Sequence, residues 1–494
     1  MGHFPMRPAS PLRSLALDKV AGRNDASLRA LIHRSVLGAI VDGRLPAGSR
    51  LPSARQLARD WRVSRNTVDD AIGALQAEGL VERRVGAGTF VAAGARLRET
   101  RSSRLRRPAP FAQEALAQLS RWSAAVAVTH APEALPRPQA FMAGLPDLQR
   151  FPHALWRRLV ARRLRTSAHT LAGYLPSLGL PALQEALARH LALARGLVCE
   201  PGQILVVNSS MQAADLIARV LLGRGDQAWI EDPSLPNLRA ALALSGARLV
   251  PVPVDEHGID AAAGVARAPG AALAYVTPAC HYPLGVALSL ERRRALLEWA
   301  TRANAWIVED DWQSEFIHGR PPASLASLDR SGRVLHIGSF SNTVFPSLRL
   351  AFVVLPGALV DVFAAVRAQL DDHTHGHSQA VLADFIDGGY FASHLRRMRD
   401  LYRSRRDTLV RACERLPAGV ALGATRGGMH AALLTPRVRG DRGLAERVAA
   451  AGVPALPLSR YAIGRPRWRG LLLGYAALDE PTIEDGVARL AKVL

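Results

Sequence analysis

The chain is almost without lysine. Lys19 and Lys492 are the only two in 494 residues. Residues 20–491 therefore hold no side-chain primary amine, and no Schiff base can form on one there. Cysteine is scarce as well. Cys199, Cys280 and Cys413 are scattered and odd in number, which argues against a disulfide framework and fits a reducing cytoplasm. No stretch has the charged-then-apolar pattern of a signal peptide, none is long and apolar enough to span a membrane, and no internal repeat is visible.

Hydrophobic residues make up 49% of the chain, enough for a large core, and its length predicts two or three domains. The formal net charge is +21, carried almost wholly by arginine, and it suggests an acidic partner. Its distribution says more than its total. Residues 1–107 hold 20 Lys/Arg against 9 Asp/Glu, a net +11 in a small part of the sequence.

That basic region has a legible order. "LRALIHRSVLGAIV" (28–41) places Leu28, Leu31, Ile32, Val36 and Ile40 on one helical face, and Gly43 ends the helix. Ser53 and Gln56 have capping-box spacing, so a short helix starts near Ala54 and ends near Trp61. Arg62 and Val63 make a tight turn. Ser64 caps a second helix whose buried face is Val68, Ala71, Ile72 and Leu75. Two short helices so joined read as a helix-turn-helix, with Arg65, Asn66 and Thr67 presented from the first turn of the reading helix. "LVERRVGAGTFVA" (80–92) reads as two short strands around Gly86, a wing carrying Arg83 and Arg84. The competing reading is a small helical domain with a solvated basic face.

Residues 28–92 resemble the winged helix-turn-helix of GntR-family transcription regulators, through "GRLPAGSRLPSARQLA", "VSRNTV" and "LQAEGLVERRVGAGTFV". The resemblance implies DNA contact by Arg55, Ser64, Arg65, Asn66, Thr67 and Gly86, with Arg83 added from the wing. It departs from the family at Asp69, where some members have arginine, and this puts one phosphate contact in doubt. Domain boundaries are expected at 24–93 for this unit, 94–137 for an Arg- and Ser-rich linker, and 138–494 for the rest. The linker is either a solvated tether or a source of non-specific phosphate affinity.

Beyond residue 138, short apolar runs ("QILVV", "AWIE", "ALAYVT", "WIVED", "VLHIGS") alternate with amphipathic stretches. That alternation predicts an α/β fold with a mainly parallel sheet covered on both faces. Polar residues at strand ends then share one crevice: Ser209, Ser210, Asp310, Ser339, Ser341 and Arg349. The turn before "MQAADL" would aim free N–H groups into it, a seat for phosphate.

This region resembles fold-type I aminotransferases, and more closely the effector domain of MocR-type regulators, in which a GntR-like domain is fused to an aminotransferase-like one. "GYLPSLGLPALQEALARHL", "EDPSLPNLRAAL", "YVTPACHYPLG", "VEDDWQSEF" and "GSFSNTVFPSLRLAF" carry the match in order. The resemblance implies a small C-terminal α+β subdomain, a homodimer, and a pyridoxal phosphate (PLP) pocket built from Ser210, Leu235, His281, Asp310, Trp312, Ser339, Ser341, Asn342 and Arg349. Ser339, Ser341, Arg349 and Asp310 match the family pattern. Asn342 stands at the position of the Schiff-base lysine, Trp312 and Leu235 at positions of tyrosines, Ser209 at that of a glycine and Met211 at that of a glutamine.

An amide nitrogen cannot form the aldimine, so PLP is expected to bind non-covalently or not at all. Asp310 is either the partner of a ring nitrogen or a strand-end charge satisfied by neighbours. Trp312 either closes the pocket by packing or stacks on a flat ligand. The histidines of "DDHTHGHS" (371–378) read as a solvated loop rather than a metal site, and no metal is expected. The sequence reads as a cytoplasmic, DNA-binding transcription regulator that binds a double-stranded operator as a homodimer, has no membrane contact and senses a small molecule. The alternatives are an aminotransferase with an atypical site, and a dimerisation scaffold that takes no ligand.

Overall fold

The computed structural model describes residues 28–93, 141–319, 321–438 and 440–494. The expected linker 94–137 lies outside the described residues, as do 24–27 and 138–140 at the expected domain edges. The chain folds into two compact units.

The N-terminal unit holds α1 (Leu28–Val41), α2 (Ala54–Trp61), α3 (Arg65–Ala77), β1 (Val81–Arg84) and β2 (Gly88–Val91). Its helices start where the sequence places caps. Ser53 Oγ accepts from the Gln56 N–H at 3.3 Å, and Ser64 Oγ accepts from the Thr67 N–H at 3.1 Å. Between them, Arg62 ends α2 in the left-handed conformation (φ 54°), which turns the chain tightly enough for the cap of α3, Ser64, to follow two residues later. Val68, Ala71, Ile72 and Leu75 face inward from α3 against Ile32, Val36, Ala39 and Ile40 of α1. Each such large apolar side chain contributes roughly 1.5–3 kcal/mol by leaving water. Leu28, expected on that face, stands exposed at the first residue of α1. β1 and β2 pair antiparallel, Val81 with Val91 and Arg84 with Gly88. Gly86 turns the hairpin at φ 75°, where a side chain would be strained.

The C-terminal unit is an eight-stranded sheet with helices and a second, four-stranded sheet. In chain order the large sheet uses β3 (Ile204–Val207), β4 (Gln227–Asp232), β5 (Arg248–Asp255), β6 (Gly258–Ile259), β7 (Leu273–Val276), β8 (Trp306–Asp311), β9 (Val334–Ser339) and β10 (Ala351–Val354). Spatially they run β3-β10-β9-β8-β7-β4-β5-β6. β5, β4, β7, β8 and β9 are parallel, while β10 is antiparallel to both β9 and β3. β3, β7 and β10 are buried throughout, as strands covered on both faces must be. The small sheet is antiparallel, in the order β11 (Ala421–Leu422), β12 (His430–Leu434), β14 (Gly470–Gly474), β13 (Leu456–Pro457), packed with helices Asp441–Ala450 and Glu480–Val493. This is the expected α/β fold with its α+β subdomain.

Candidate functional site

Register builds the crevice. Asp310 and Asp311 on β8 lie beside Ile337 and Gly338 on β9. Ala351, the first residue of β10, pairs with Ser339 on one side and Val207 on the other. The carboxyl ends of β8, β9 and β3 therefore stand in one row, at spacings of about 4.8 Å between strands. Because β10 runs the other way, Arg349 enters on this same edge, two residues ahead of Ala351.

From β3 the chain passes through Asn208 and Ser209 straight into the helix Ser210–Leu221. Ser209 is its cap, accepting from the Gln212 N–H at 3.1 Å. The N–H groups of Ser210 and Met211 are left without an intrahelical acceptor and give an anion seat at the helix N-terminus. Ser339 Oγ accepts from the Ser341 N–H at 3.3 Å, which shapes the turn that carries Asn342. Arg349 holds a left-handed backbone (φ 53°), a strained choice for this residue. It is exposed, and among the described residues its guanidinium has no hydrogen bond or ion pair. The Asn342 amide likewise has no partner among them.

Asp310 is the buried acid of the crevice, 3% exposed. Its Oδ2 accepts from the Tyr275 hydroxyl at 2.7 Å, while its Oδ1 is buried with no hydrogen-bond partner. Burial pushes its carboxyl up to about 6, against the opposing Tyr275 bond. Strand pleating sends its neighbours to the other face. There Asp311 binds Arg195 Nε at 2.7 Å and Glu309 meets His336 Nδ1 at 3.1 Å. Of the three acids in "EDD", only Asp310 serves the crevice.

His281 is buried, and its Nε2 meets the Pro233 carbonyl at 3.0 Å. Burial lowers its pKa to about 3 and raises that of Glu231 to about 8, so their 3.6 Å approach is a contact of neutral groups, not an ion pair. Trp312 donates its indole N–H to the Cys280 carbonyl at 3.0 Å. Its ring stacks on His430 at 5.5 Å between centroids and meets Tyr282 edge-on at 5.2 Å. Leu235 and Trp312, both half-buried, pack against one apolar cluster of Tyr282, Ala432, Leu458, Tyr461 and Leu472.

Two residues of this neighbourhood escape sequence reasoning. Tyr275 reads as an ordinary strand residue, yet the pairing of Tyr275 with Val308 places it two residues from Asp310 on the adjacent strand. His430 lies far along the chain, and no local signal joins it to Trp312.

At the N-terminal unit, Arg55, Ser64, Arg65, Asn66, Arg83 and Gly86 are exposed and Thr67 is half-buried. The Ser64 and Thr67 hydroxyls lie 2.7 Å apart and serve the helix start. Asp69 sits between two candidate arginines: Arg65 Nε is 3.5 Å from its Oδ2, and Arg83 Nη2 is 3.3 Å from its Oδ1. Among the described residues there is no cluster able to hold a metal ion, and no helix long and apolar enough to cross a membrane. His375 heads a helix, Gly376–Asp387, that contains His377, so residues 376–378 of the expected histidine loop are helical.

Residues 29–91 match the bacterial regulatory proteins of the gntR family, and residues 146–490 match the class I and II aminotransferases. A winged DNA-binding domain and an aminotransferase fold in one chain define a class of transcriptional regulator. The chain is 38% identical over 479 residues to the "Probable rhizopine catabolism regulatory protein MocR" of Rhizobium meliloti, covering 96% of this chain and 95% of that one. It is 33% identical to the HTH-type transcriptional regulator TauR of Rhodobacter capsulatus, covering 98% and 100%. Among solved structures, LysN of Thermus thermophilus, an alpha-aminoadipate aminotransferase complexed with N-(5'-phosphopyridoxyl)-L-leucine, superposes with TM-score 0.69 at 28% identity, covering 75% of this chain and 96% of that one. The chain belongs to the MocR-type, GntR-family transcriptional regulators, with an aminotransferase-like domain of the class I and II fold.

Proposed function

We propose that this regulator binds a double-stranded operator through Arg55, Ser64, Arg65, Asn66, Thr67, Arg83 and Gly86, and senses a phosphate-bearing small molecule held without a covalent bond. Its domains are 24–93, 94–137 and 138–494, it acts as a cytoplasmic homodimer, and two recognition helices then require paired half-sites. The aminotransferase-like domain is not a catalyst: Asn342 occupies the family's lysine position, and no other lysine lies between Lys19 and Lys492.

One observation carries the ligand reading. Asp310 Oδ1 is buried at the strand edge with no partner, an arrangement that costs about 1–3 kcal/mol unless something is bound to it. A ring N–H is such a partner. Arg349, Ser341 and the N-terminus of helix Ser210–Leu221 suit a phosphate at the same edge. These residues fit PLP, which when bound supplies an electron-withdrawing ring and an amine-capturing aldehyde. This chain supplies the phosphate grip and the ring-nitrogen carboxylate, and no amine to capture the aldehyde.

The packing of Leu235 and Trp312 against the Tyr282 cluster favours a second reading, a scaffold with the ring position filled from within. Calorimetry with PLP separates the two. Saturable one-to-one binding, weakened at least tenfold in Arg349→Ala, is the expected result. No heat of binding at millimolar PLP would establish the scaffold.

A further inference from the structure

Asp69 offers one carboxylate to two arginines from different elements. Its Oδ2 lies 3.5 Å from Nε of Arg65, in the first turn of α3, and its Oδ1 lies 3.3 Å from Nη2 of Arg83 on β1. The same Nη2 also donates to the Asp69 main-chain carbonyl at 3.3 Å, so Arg83 is held by two acceptors. Arg65, Asp69 and Arg83 have side chains 70%, 37% and 43% exposed, and such pairs add little to folding stability. Their importance lies in what each arginine is free to do. Arg65 stands at the positive end of the α3 dipole, where a cation is disfavoured and where a nearby carboxylate compensates.

We propose that Asp69 is a positioning residue for DNA recognition. It ties the reading helix to the wing and fixes the direction of both guanidinium groups. It also keeps them from closing on any passing phosphate. Non-operator DNA offers phosphates but no matching base edges, and its phosphates must displace Asp69 to reach either arginine. An operator also offers matching base edges, to which an already oriented Arg65 loses less side-chain freedom on binding. The carboxylate therefore lowers non-specific affinity more than specific affinity. This rests on the assignment of α3 and the wing as the DNA-binding face.

The experiment uses the full chain and a duplex that the wild type selects from a random pool, with a scrambled duplex beside it. Fluorescence anisotropy is read from low to high salt. Wild type that selects no sequence refutes the DNA-binding face, and this proposal with it. Given selection lost in Arg65→Ala, Asp69→Asn is expected to bind the scrambled duplex about tenfold more tightly, the size of one charge-assisted contact. Its log K against log salt should steepen by about 0.9 for each phosphate gained. The operator should gain less than threefold, so the specificity ratio falls, and Asp69→Glu should restore it. Equal gains on both duplexes would reduce Asp69 to a unit of net charge, and an unchanged ratio would overturn the proposal.

Discussion

Asp310 is the residue whose surroundings make the sharpest demand on a ligand. Its unpartnered Oδ1 and its carboxyl, pushed up to about 6, belong to a group that gains most by meeting a cationic ring nitrogen while ionised. PLP affinity should therefore be full above pH 6 and fall as the carboxyl takes its proton below it. Asp310→Asn should lose about tenfold, within the range of a charged hydrogen bond, and flatten that fall. The groups proposed to grip the ligand address its phosphate and ring nitrogen. None forms a bond to the aldehyde carbon. Pyridoxamine phosphate should consequently bind within a few-fold of PLP, and a hundredfold preference for the aldehyde, read by calorimetry, would show that something else captures it.

At the scale of elements, the strand ends carry a second buried acid with a measurable signature. Glu231 on β4 accepts from the Thr277 hydroxyl at 2.7 Å, and burial pushes its carboxyl up to about 8. Its folded pKa lies above its unfolded value, so between the two the native state holds the extra proton. Its contribution to stability is thus lost as pH rises towards 8. The buried His281, His394 and His430 act oppositely: their pKa values are lowered to about 3, 4 and 4, and their contribution is lost as pH falls below the ordinary imidazole range. From pH 6.5 to 8 Glu231 dominates this balance. Wild-type stability in urea should decline over that interval, and Glu231→Gln should remove the decline. An unchanged slope would contradict the assigned protonation.

Much at this scale was legible in advance. Ser53 and Ser64 mark helix starts because capping is local, and "QILVV" and "VLHIGS" mark strands because strands covered on both faces are mostly apolar. The antiparallel course of β10 was not legible, although it is what brings Arg349 to the edge shared by Ser339 and Ser210. Strand direction is decided by partners distant in sequence. The Asp310–Tyr275 bond and the stacking of Trp312 on His430 were hidden for the same reason: each joins residues whose local sequence is ordinary. From sequence alone Asp69 reads only as a phosphate contact in doubt. Its two arginines come from a helix and a hairpin, and only the fold shows that it holds both.

The whole molecule joins a DNA-binding unit to a domain of aminotransferase fold that has no lysine between residues 20 and 491. Fold and chemistry separate here because the sheet depends on buried strands, whereas aldimine formation depends on one side chain. Restoring that side chain alone should not restore the site. Asn342→Lys supplies an amine, but Leu235 cannot stack as an aromatic ring does, and Trp312 has its indole N–H committed to Cys280. Adding Leu235→Tyr and Trp312→Tyr should therefore strengthen capture more than additively, since all three act on one ring. The most direct measurement is borohydride reduction with PLP, followed by peptide mapping, on wild type, Asn342→Lys and the triple variant. The expected result is no reduced adduct between residues 20 and 491 in the wild type, slight capture at position 342 in the single variant, and strong capture in the triple. A stoichiometric adduct on a wild-type residue in that span would contradict it.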